Sequence, residues 1–136
     1  MKRTIFILLC VIGFLSCQDN SNPLPAAALP ETSYDMEGKW IYENNNLNTM
    51  YIYESGVRYT YYCVGGNCDS LYKTFEAGDS NAIPATNTYT IENGTLRVDL
   101  HFGNELVTAL NFHCNGDKVY FESPGYYLYR LGSDCN

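Results

Sequence analysis

Six cysteines and two histidines are the side chains in this 136-residue chain best suited to redox, nucleophilic or metal chemistry. Cys10 and Cys17 belong to the amino-terminal stretch, while Cys63, Cys68, Cys114 and Cys135 lie in the body of the chain. An even number of cysteines in an exported chain points first to disulfides, and four admit three pairings. Cys63-Val-Gly-Gly-Asn-Cys68 is short enough to staple its own loop, leaving Cys114 to fasten the carboxyl end at Cys135. Four zinc ligands are the competing use. That use is poorly served, because zinc sites favour C-x2-C knuckles and here a single C-x4-C stands with two distant cysteines. His101 alternates with Thr95, Arg97 and Asp99 on a polar face, and His113 adjoins Cys114. Neither stands by a carboxylate pair or a serine in a nucleophile turn. The expectation is a protein without metal or cofactor that is not an enzyme.

The tyrosines are the other resource, 13 of them beside 6 phenylalanines. Tyr51 and Tyr53 alternate along one short run and Tyr59 and Tyr61 along the next, sharing a face with Val57 and opposed by Arg58, Thr60 and Tyr62. Tyr127 and Tyr129 repeat the pattern near the end. A ring with a hydroxyl tip can line a pocket for a small apolar or aromatic ligand. The same residues also serve simply as cross-strand pairs that hold a sheet together. Two short acceptor patterns stand apart: Asp69-Ser70-Leu71 fits an O-glycosylation signal and Asn93-Gly94-Thr95 an N-linked one. A hairpin turn explains the second better.

The formal charge is −7. Cationic side chains are scattered singly, with no basic stripe for a nucleic-acid backbone or for anionic lipid. At the amino end, Lys2 and Arg3 precede an apolar run from Ile5 to Leu15, which is too short to span a bilayer at about 20 residues per crossing. The run closes on Phe14-Leu-Ser-Cys17 and turns polar at Gln18. This resembles a bacterial lipoprotein signal, cleaved after residue 16 and acylated on Cys17. The resemblance implies export, a hold on the lipid bilayer through Cys17, and a place in the cell envelope, with the outer membrane preferred and its face open. Two or more acyl chains are needed for stable anchoring. Residues 17–33, with three prolines and three successive alanines, have the composition of a flexible tether. The domain proper is 34–136.

From Gly38 onward nine extended runs are expected: 38–44, 48–54, 57–63, 70–76, 88–92, 95–102, 105–113, 118–122 and 126–131. Short punctuation separates most of them, notably Ser55-Gly56, Asn93-Gly94 and Ser123-Pro124-Gly125. Asn-Gly between alternating runs is a strong hairpin signal, since both residues tolerate the positive φ of a type I′ turn. The one long break, 77–87, suits a flap over an opening. Strands joined by tight turns make an antiparallel meander, and eight or nine of them lose their exposed edges by closing into a barrel. A β-sandwich is the alternative fold.

Gly38-Lys39-Trp40 on the first strand and Arg130 on the last resemble the lipocalin-like branch of the calycins. That resemblance implies a small all-β barrel, up and down, with Trp40 packed at its closed end beside Gly38 and Arg130 lying across the indole. It also implies a binding module holding a small ligand inside. A filled barrel that engages an envelope protein, or acts as a small inhibitor, is the alternative.

Overall fold

The chain alternates runs rich in β-branched and aromatic residues with turns that demand positive φ. Ser55, Asn93, Gly56 and Gly94 all sit in the left-handed region, and Ser55-Gly56 and Asn93-Gly94 each reverse the chain in two residues. A computed structural model describes residues 33–42 and 48–135. Its strands are β1 (Gly38–Tyr42), β2 (Thr49–Glu54), β3 (Val57–Tyr62), β4 (Asn87–Glu92), β5 (Thr95–Asp99), β6 (Glu105–His113), β7 (Lys118–Phe121) and β8 (Tyr126–Arg130). Each pairs antiparallel with the next, and β8 returns to β1 with Trp40 opposite Arg130. The result is a closed eight-stranded all-β barrel.

Register sorts the side chains. Trp40, Tyr53, Leu96, Val98, Val119, Phe121 and Leu128 point inward and are fully buried with Met36. Cross-strand partners share a face, so the inward set also includes Tyr42 opposite Leu128, Tyr126 opposite Phe121, and Leu106 opposite Val98. A second apolar cluster lies on the outer wall of β1 to β3: Met50, Ile52, Tyr61 and Cys63, covered by Tyr72 and Phe75.

That outer cover corrects two expectations. Residues 70–76 do not form a strand; the short helix α1 (Cys68–Tyr72) occupies this region. Asn67 caps α1 by accepting from the Ser70 amide at 3.2 Å, and Lys73 reaches back one turn to Asp69 at 2.6 Å. Tyr72 and Phe75, three apart, then fall on one side and bury against β2 and β3. Nor is the stretch after it a flap over an opening. Ala77 and Ala82 pack on the same outer cluster, and the Tyr61 hydroxyl donates to Glu76 O at 2.6 Å. The Ile83 amide donates to Thr60 O at 2.8 Å, completing the edge that β3 leaves when it parts from β4 after only two paired positions. A third expectation shifts as well. β5 stops at Asp99, because His101 and Phe102 take positive φ and turn the chain, leaving Phe102 wholly exposed.

Both disulfides are present: Cys63–Cys68 and Cys114–Cys135. The first ties the end of β3 to the start of α1, and the second ties the turn after β6 to the carboxyl end.

Candidate functional site

Antiparallel order gives the barrel two ends. The β2–β3, β4–β5 and β6–β7 turns gather at the end where β1 begins and β8 finishes. At that end Trp40 is fully buried and its indole donates to Met36 O at 2.7 Å. The Arg130 guanidinium stacks 4.5 Å above the indole. It donates through Nε to Gly116 O (3.0 Å), through Nη1 to Glu37 O (2.6 Å) and through Nη2 to Asp35 O (3.1 Å). Gly38 is there for a steric reason: its φ is +118°, and a Cβ would stand 2.8 Å from Arg130 Nη1. Gly38, Trp40 and Arg130 thus form one unit that plugs this end.

Around and beyond this unit the interior is lined by aromatic and polar groups, with Tyr53 opposite Gly38 and Tyr51 opposite Trp40 in the register. The hydroxyls of Tyr42 and Tyr51 share a hydrogen bond of 3.1 Å. Tyr42 and Tyr126 have ring centroids 4.9 Å apart, and Tyr53 meets Tyr89 edge-on at 5.1 Å. Above the Tyr51 ring, at 4.9 Å, lies the guanidinium of Arg58, a residue 8% exposed. Arg58 Nη2 donates to Asn87 Oδ1 at 2.8 Å, and Asn87 Nδ2 donates onward to Asp99 O at 2.7 Å. Arg58 Nε and the Tyr53 hydroxyl are buried without a partner in good hydrogen-bonding geometry. Burial pushes the Tyr53 phenol up to about 12, opposed by the nearby Arg58 charge. Burial also raises Tyr51, reinforced by Tyr42, and raises Tyr126 and Tyr89. All four phenols are neutral donors at ordinary pH.

The six tyrosines expected to line a pocket divide between two faces. Tyr51 and Tyr53 point inward. Tyr61 lies in the outer cluster beneath Phe75, with rings stacked at 5.1 Å, and Tyr59 packs beside it. Tyr127 and Tyr129 are on the outer wall, where the Lys118 ammonium lies 4.3 Å and 4.8 Å from their rings. Tyr42, Tyr89, Tyr126 and Arg58 join the interior group without having been singled out from the sequence. The signal for Arg58 was its alternation with Thr60 on the strand directly after Tyr51 and Tyr53.

His101 is in the exposed turn after β5 and His113 ends β6 at the opposite end of the barrel, so the two imidazoles are not brought together. Among the described residues no group of three or more His, Cys, Asp or Glu side chains could hold a metal ion. Ser70 is exposed within α1, and Asn93 forms the β4–β5 turn. Cys17, the leader 1–16 and nearly all of the expected tether lie outside the described residues. No family model, curated protein or solved structure matches this chain.

Proposed function

We propose that this chain is a non-catalytic binding module of the bacterial envelope. In this reading it is exported, anchored through acylated Cys17, and folded as a lipocalin-like barrel that takes a small apolar or aromatic molecule into its interior beside Tyr42, Tyr51 and Tyr126. One contrast supports this reading. Trp40, Val98, Val119 and Leu128 have no exposed surface, whereas the inward-facing Tyr42, Tyr51, Tyr126 and Leu106 are only partly buried. An inward side chain that solvent still touches borders space that its neighbours do not fill. Rings with hydroxyl tips at such a place offer stacking and hydrogen bonding to a guest.

The test is a fluorescence titration with N-phenyl-1-naphthylamine, a neutral aromatic probe, against the chain from residue 17 to 136 without acylation. All eight strands, both apolar clusters and both disulfides lie within 33–135 and are kept in that chain. The expected result is saturable binding of one probe per chain, weakened when Leu106→Trp fills the interior. Absence of saturable binding would reject the interior site. It would favour the second reading, a filled barrel engaging an envelope protein through the partly exposed Tyr120, Tyr127 and Tyr129 on the outer wall of β7 and β8.

A further inference from the structure

We propose that the molecule held in the barrel is an organic anion, of which a monocarboxylate is the simplest case, and that Arg58 is the residue that recognises its charge. This rests on the interior-ligand reading and narrows it to a chemical class.

Arg58 is more than nine-tenths buried, and among the described residues no carboxylate lies within ion-pair distance of it. A guanidinium remains charged at any pH a protein tolerates, so burial cannot neutralise it as it would a lysine. Buried charges are ordinarily paired, and an isolated one is costly. What Arg58 has instead are neutral neighbours: the acceptor Asn87 Oδ1, the face of Tyr51 and the adjacent Tyr53 hydroxyl. Its Nε has no partner in good hydrogen-bonding geometry. The surrounding phenols do not supply the missing charge, because burial holds Tyr51 and Tyr53 in the neutral form. Asn87 fixes the guanidinium, and its amide is itself anchored on Asp99 O. The cation is thus held in place and left electrostatically unfinished, next to the tyrosines that keep some solvent contact.

Three features point to a single negative charge on an apolar or aromatic body. One guanidinium balances one charge and presents a fork that matches a carboxylate. The tyrosine rings around it favour a flat apolar remainder. The whole chain carries −7, which disfavours drawing in a dianion.

The experiment compares two probes with the same aromatic body: N-phenyl-1-naphthylamine, which is neutral, and 1-anilinonaphthalene-8-sulfonate, which carries one negative charge. Wild type is expected to bind the sulfonate at least about tenfold more tightly, the scale of one charge-assisted contact made out of water. Arg58→Gln should erase most of that preference while leaving the neutral probe within about threefold of wild type. Should Arg58→Gln fail to fold, the wild-type protein still decides the matter by NMR. The Arg58 Nε–H resonance is expected to shift on adding the sulfonate and to stay in place on adding the neutral probe. Equal binding of both probes, or a preference that survives Arg58→Gln, overturns the role of Arg58 and leaves the interior site standing. Failure of both probes to bind removes the site and this inference together.

Discussion

Arg130 and Gly38 show how much a single position can fix. Arg130 covers the Trp40 indole and donates to three backbone carbonyls that no other side chain reaches in the described structure. Its ion pairs to Asp35 and Asp117, both at 3.7 Å and partly solvated, add little beside these. Arg130→Met keeps a long apolar side chain and removes the donors. It is expected to cost about 2–4 kcal/mol in urea unfolding, from lost charge-assisted hydrogen bonds and cation–π contact. Gly38→Ala should cost about 1–3 kcal/mol by backbone strain and collision with the guanidinium. A smaller loss in both variants would mean that the plug is ornamental. The buried phenols make a second prediction. Tyr53 ionises near 12 when folded and near 10 when unfolded, so the fold favours the neutral form. Stability from this group is therefore whole below about pH 10 and drains away as pH climbs toward 12. Melting temperature and near-ultraviolet phenolate absorbance should change together in that window. Phenolate appearing fully at pH 10 with the fold intact would contradict the burial of Tyr53.

At the scale of the element, legibility in the sequence tracked how many faces a strand buries. β4 and β5 bury one face each, their turn is Asn-Gly, and both were readable from alternation alone. β2 and β3 bury both faces, one into the barrel and one beneath α1 and Phe75. In Thr49-Met-Tyr-Ile-Tyr-Glu54 every middle residue is then apolar or aromatic, and the period-two signal that separates inside from outside vanishes. For the same reason alternation set Arg58 opposite Tyr59 and Tyr61 without showing which face is inward, and those two tyrosines are on the outer wall. The strand expected at 70–76 failed because Leu71, Tyr72 and Phe75 are apolar over too short a span for helical periodicity to declare itself. Only Asn67 and the Asp69–Lys73 spacing hinted at the cap and the turn. The disulfides act at this scale too. Cys114–Cys135 closes 21 residues and Cys63–Cys68 closes five. Replacing each pair by alanine is expected to cost about 3 kcal/mol for the first and about 2 for the second, since a longer loop loses more entropy when closed. The reverse order in urea midpoints would place the importance in the α1 cover instead.

For the whole molecule the two ends of the barrel differ in structure. The chain enters its first strand at the plugged end, where Met36 and Glu37 adjoin Trp40 and Arg130. The β5–β6 turn, with the exposed Phe102, lies at the other end. If Cys17 carries the anchor, Cys17→Ser should move the protein from the membrane fraction to the soluble fraction of the envelope, with the barrel intact by circular dichroism. Retention in the membrane would assign the anchor elsewhere. The proposed binding role requires an interior in which something is kept. Native mass spectrometry of the protein released gently from its own host's envelope tests this most directly. The predicted spectrum shows a one-to-one adduct of a small organic acid in wild type that is absent from Arg58→Gln. A wild-type spectrum holding only the bare chain, in every preparation, would contradict it.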